Sequence, residues 1–126
     1  MIKKESFFLV SVAIGVFFAS LGYGFLPSLT MPFLYEIEVT NTNLLNILRA
    51  ISGLYIALVT FWILGAYNSN LQLPALWSLT IFMTGIALGR VASILIDGLP
   101  SPIFIFYLFI EIISGLIGYA LLKGKL

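Results

Sequence analysis

Four apolar runs, at roughly residues 7–26, 44–66, 73–96 and 102–122, leave almost no chain between them. Each is long enough to cross a membrane as a helix, which takes about 20 residues at a rise of about 1.5 Å each. In lipid an unpaired backbone group or an open sheet edge has no partner, so these runs dictate helices. The expectation is an all-α fold, a four-transmembrane-helix bundle that forms a single domain over residues 1–126. Composition agrees: 61% of the 126 residues are hydrophobic, 9% are charged and the mean hydropathy is +1.15, against about 25% charged residues in soluble domains.

The breaks between runs have local chemistry of their own. Pro27 and Pro32 end the first run, and Asn41, Thr42 and Asn43 offer N-caps for the second. The stretch AYNSNLQLPA is a polar, uncharged break. Asp97-Gly98 stops the third run, and Ser101-Pro102 is an N-cap and first-turn pairing that starts the fourth, so the last two runs predict a tight hairpin. The stretch PSLTMPFLYEIEVTNTN is too long for a tight turn. Its Phe33, Leu34, Tyr35, Ile37 and Val39 suit either a segment on the membrane interface, with Tyr35 at headgroup level, or a loop tucked over the bundle.

Basic residues collect on cytoplasmic flanks. Lys3 and Lys4 precede the first run, Lys123 and Lys125 follow the last, and an even number of crossings puts both ends on one side. The N and C termini are therefore expected in the cytoplasm, with the protein integral to a bacterial cytoplasmic membrane. The start also resembles a signal peptide, with a basic beginning, an apolar run and the small pair Ala19-Ser20, but the run continues to Leu26, as expected of a resident span.

A net charge of +1 provides no basic stripe for nucleic acid. With neither cysteine nor histidine in the sequence, disulfides, thiolate sites and imidazole metal sites are excluded. No metal and no cofactor is implied. What remains is a set of ionisable residues inside the apolar runs. Arg49 falls roughly 8 Å from the outer start of the second run, Arg90 about 10 Å inside Asp97, and Glu111 about 14 Å into the fourth run. Such a residue at the centre of a span costs about 2.5 to 3.5 kcal/mol, so pairing among Arg49, Arg90, Asp97 and Glu111 is expected. Arg90 and Asp97 share a helical face with Ser93 between them. Small residues, Gly85, Gly89 and Ser93 on the third run, Ser114, Gly115 and Gly118 beside Glu111, Gly53 and Ala57, and Gly15 and Ala19, are expected to let helix backbones approach closely.

The stretches RAISGLYIAL, residues 49–58, and LGRVASILIDGLPSPIFIFYLFIEIISG, residues 88–115, resemble the DUF4345 family, small bacterial four-helix membrane proteins of unassigned function. The family pattern has an Arg-Ala opening a glycine-containing second helix, a Gly-Arg followed by an Asp-Gly-Pro turn, and a Glu in the last helix. Arg49, Gly53, Gly89, Arg90, Asp97, Gly98, Pro100 and Glu111 occupy those places. The resemblance implies the fold and a family label, without an activity.

The leading functional expectation is a non-enzymatic interaction or accessory component. In it the four charged residues form a buried clasp that fixes helix register, and a protein partner or a second copy of the chain joins the lipid bilayer as a neighbour. The alternative is a binding site for a small amphiphile, a lipid, quinone or isoprenoid. Two arginines would then grip an anionic head, and Tyr23, Tyr55, Ser93, Tyr107 and Ser114 would line the pocket, although core packing with satisfied hydroxyls explains each tyrosine singly. A third reading is proton-coupled transport by an oligomer, resting on Glu111 alone. It is an analogy to small multidrug exporters, which place the key Glu in the first helix, where this chain has none within the membrane. Enzymatic chemistry has least to build on, because these residue types assemble no nucleophile–base pair and no metal cluster.

Overall fold

The computed structural model describes residues 3–126, as five helices: α1 (Lys4–Gly24), α2 (Pro27–Tyr35), α3 (Thr42–Tyr67), α4 (Ser69–Asp97) and α5 (Pro102–Leu122). Four of them, α1, α3, α4 and α5, are long and apolar enough to cross a membrane. The four expected spans are thus matched, and the short α2 is an added helix within the segment expected as an interface stretch or a loop. Pro27 enters α2 at its first positions, where a missing N–H costs nothing, so the proline that ends the first apolar run also opens a new helix. Glu36 closes α2 in the left-handed region at φ 59°, its N–H bonding the carbonyls of Met31 and Pro32. Tyr35 lies buried beneath α2, because the helix turns that side chain inward; Phe33 and Leu29 point outward instead.

The boundary residues follow their local chemistry with two differences. Asn41 caps α3, its Oδ1 accepting from the N–H groups of Asn43 at 2.7 Å and Leu44 at 3.3 Å. Asn68 caps α4 in the same way through Asn70. That cap starts α4 at Ser69, earlier than the predicted residue 73, and the helix continues through Pro74, whose missing N–H removes a single bond close to the helix start. Ser101 stands at the N-cap of α5, yet its side chain makes no capping bond. Gly98 ends α4 at φ 99°, a conformation that a side chain would strain.

The bundle runs up and down, with α1 against α3, α3 against α4 and α4 against α5. The end that holds Lys4 and Leu126 also holds the α3–α4 turn, where Ser6 Oγ donates to the Ala66 carbonyl at 2.7 Å and accepts from Gln72 Nε2 at 3.1 Å. The other end holds α2 and the α4–α5 hairpin. One core, around the fully buried Trp62, Leu9 and Leu79, fills the terminal half of the bundle. Trp62 is held by a bond from its Nε1 to Ser78 Oγ at 3.0 Å. A second, smaller core of Met31, Tyr35, Val39 and Leu48 lies beneath α2.

Close helix contact occurs at fewer small residues than the sequence suggests. A Cβ at Gly24 would overlap Ser52, one at Gly65 would overlap Ala75, and one at Gly118 would overlap Thr80. Gly15, Gly53, Gly85 and Gly89 have nothing nearby for a Cβ to meet. The expected close approach at those four positions is absent, because each faces away from the neighbouring backbone.

Candidate functional site

The chain's order of contacts leaves α1 and α5 standing apart. Between them lies a cavity of about 580 Å³, with side chains of α3 and α4 as its floor, inside the roughly 300 to 1,000 Å³ range of ligand pockets. The wall contributed by α1 includes Lys4, Ser11, Gly15, Ala19 and Tyr23, spaced by seven residues and then by fours and so on one helical face. From Lys4 to Tyr23 this wall is roughly 28 Å long, close to the hydrocarbon thickness of a bilayer at about 30 Å.

The cavity is polar at one end. There Arg90 of α4 donates from Nε to both carboxylate oxygens of Glu111 on α5, at 2.9 and 2.8 Å. Backbone direction brings the two together. Helical side chains lean toward their own N-terminus, so Arg90 leans away from the hairpin and Glu111, roughly 3 to 4 Å deeper, leans toward it. Glu111 is 8% exposed, so its charge has little access to water and depends on this partner. The guanidinium also stands over the rings of Phe104 and Tyr107, 5.7 and 5.6 Å from their centroids, within reach of a cation–π attraction.

Aromatic side chains surround the pair. Tyr23 stacks on Tyr35 at 5.9 Å and meets Tyr55 edge-on at 5.8 Å, and Tyr35 stacks on Phe104 at 5.0 Å. The hydroxyls of Tyr35 and Tyr107 share a hydrogen bond of 2.9 Å. Burial pushes the Tyr35 phenol well above its ordinary range, so it stays protonated.

Of the residues singled out from the sequence, Arg90, Glu111, Tyr23, Tyr55, Tyr107 and Ser114 line this one cavity. Arg49 and Asp97 do not join them, so the expected cluster of four charges is a pair. Arg49 leans toward the start of α3 and donates from Nη1 to the Gly24 carbonyl at 2.8 Å, capping the end of α1. Asp97 is exposed at the end of α4 and accepts from Ser93 Oγ at 2.9 Å. The two-turn separation, with Arg90 leaning toward the start of α4 and so away from Asp97, keeps those two charges apart. Ser93 borders a second cavity of about 420 Å³ by the hairpin, which Arg90 also reaches.

The sequence reading missed Phe82, Phe104 and Tyr35 as neighbours of the site, and it read Gly15 and Ala19 as packing residues when they form a wall. The signal for that wall was the run Lys4, Ser11, Gly15, Ala19 and Tyr23 on one face of the first apolar segment. Its middle, Ser11, Gly15 and Ala19, is small where a lipid-facing stripe would be bulky, with Val12 and Val16 beside it.

No curated protein and no solved structure matches the chain. The family described as a domain of unknown function, DUF4345, matches over residues 5–122. The chain belongs to that family.

Proposed function

We propose that this member of the DUF4345 family binds one small amphiphile within the membrane. The polar head would sit at the Arg90–Glu111 pair and the tail along the cleft between α1 and α5. The observation that carries this reading is the cleft itself: about 580 Å³ of space with an ion pair and tyrosines at one end and mostly apolar walls along the rest. The same pair ties α4 to α5, so the expected clasp and the head site are one feature. Proton transport draws no support from the geometry, because both Glu111 oxygens are engaged by Arg90. The lysines at both termini support an orientation with the terminal end in the cytoplasm of a bacterial cell.

Gly15→Leu tests the proposal, since Gly15 lines the cleft and a Cβ there meets nothing within 4 Å. Native mass spectrometry of protein taken from its own membrane into nanodiscs should show a small molecule retained by the wild type. The variant should have lost it while keeping its thermal stability. An identical complement of bound molecules in both proteins would overturn the reading.

A further inference from the structure

An anionic headgroup gripped by two arginines is the simplest amphiphile for this sequence, and the geometry removes its basis. Arg49 serves the end of α1 and lines neither cavity. Arg90 is already neutralised by Glu111 at 2.8 Å. A second anion placed beside that pair would meet the Glu111 carboxylate at close range, in surroundings where like charges are weakly screened.

Hydrogen-bonding capacity at the site is nonetheless unspent, and most of it is donor capacity. Nε of Arg90 is committed to Glu111 and the Tyr23 hydroxyl stands beside the guanidinium, but one hydroxyl can accept from no more than two of the four terminal N–H groups. Arginine has donors and no acceptor, so the remaining N–H groups call for an acceptor from outside the chain. Of the Tyr35 and Tyr107 hydroxyls, whichever accepts in their shared bond keeps its own proton to donate elsewhere. The cleft presents aromatic rings beside these donors: Tyr23, Tyr55 and Tyr107 line it, backed by Tyr35 and Phe104 through a chain of aromatic contacts of 5.0 to 6.2 Å. Such rings favour a flat partner, stacked or edge-on.

We infer that the cleft takes an uncharged, planar head bearing carbonyl oxygens on an apolar tail, the chemistry of the quinone class, with a carbonyl oxygen accepting from the terminal N–H groups of Arg90. This inference rests on the amphiphile reading and narrows it. Carbonyl oxygens supply acceptors without charge, so the neutral Arg90–Glu111 pair stays balanced. The cleft supplies a trough of roughly membrane length for the tail.

Two probes with tails of matched length separate the headgroup question from the question of the cleft. Binding of decylubiquinone and of decanoate, which is ionised at neutral pH, is measured on the full chain in uncharged detergent. Decylubiquinone should bind the wild type at least tenfold more tightly than decanoate. Glu111→Gln, which removes the opposing charge while keeping shape and an acceptor, should raise decanoate affinity about tenfold and leave decylubiquinone within threefold. Gly15→Leu should weaken both probes tenfold or more. Decanoate binding the wild type as tightly as decylubiquinone, with both weakened by Gly15→Leu, would overturn the headgroup inference and leave the amphiphile cleft standing. If neither probe binds, or both bind Gly15→Leu as they bind the wild type, the cleft reading falls with it. The wild-type ratio decides the headgroup question even if Glu111→Gln does not fold.

Discussion

Helix α5 faces α4 on one side and α1 on the other, and small residues border both gaps with opposite results. On the α4 side, Gly115 and Gly118 let the helices close until Thr84 and Thr80 fill the space a Cβ would need. On the α1 side, Gly15 and Ala19 face an open cleft with nothing near enough for a Cβ to touch. A small residue on a membrane helix therefore marks either a seam or a vacancy, and the opposite wall decides which. Across from Gly118 stands another helix's threonine, whereas a Cβ at Gly15 would meet nothing within 4 Å among the described residues. The Arg90–Glu111 pair stands where the two gaps meet, closing the seam with its bond and furnishing the cleft with its remaining donors.

Removing one member of that pair is the strongest way to break the contrast. Arg90→Ala leaves the Glu111 carboxylate buried without a partner, and the cost of stranding a buried charge is about 3 kcal/mol or more. Unfolding in graded mixed micelles should show a loss of that size. The double variant Arg90→Leu, Glu111→Leu should recover most of it, because apolar side chains in place of a buried ion pair are close to neutral or stabilising. A double variant as unstable as the single one would mean that the pair, rather than the absence of stranded charge, holds the seam.

The next effect compares the two gaps directly. Gly118→Leu forces a side chain into Thr80 and should cost about 2 to 3 kcal/mol by overpacking. Gly15→Leu, the same change on the open side, should alter stability by less than about 0.5 kcal/mol. Equal losses in the two variants would show that α1 and α5 close on each other in the membrane.

Spans and caps were largely legible in the sequence, because in lipid each backbone group must be satisfied within its own segment and apolar run length then dictates a helix. Asn41 and Asp97-Gly98 mark their boundaries by local chemistry alone. The short helix α2 was hidden because a proline that cannot continue one helix is well suited to begin another, and the residues on either side carry the same apolar character. The candidate site was half legible. Arg90 and Glu111 stood out as charges within oil, but the identity of each partner depends on which way a side chain leans and on which helices adjoin. Those facts separate Arg90 from Asp97 on its own helix and join it to Glu111 on the next. The cleft was illegible for a different reason: it is defined by two helices that do not pack, and no residue pattern in one helix states what stands across from it.

The smallest effect runs toward greater stability and tests how tightly the α4–α5 seam is closed. Thr80 Oγ1 is buried against Gly118 and has no hydrogen-bond partner among the described residues. An unsatisfied buried hydroxyl costs about 1 to 3 kcal/mol, whereas a methyl of similar size would fit the same space. Thr80→Val is ordinarily unfavourable in a core, since it deletes a hydroxyl that has a partner. At this position it should instead raise stability by about 1 kcal/mol, read as a shift of the unfolding midpoint in mixed micelles. The same substitution at Thr60, whose hydroxyl donates to the Ile56 carbonyl at 2.8 Å on an exposed face of α3, should give no such gain. A destabilised Thr80→Val would mean that the seam opens far enough for the hydroxyl to find an acceptor, and the two sides of α5 would then differ less than their glycines suggest.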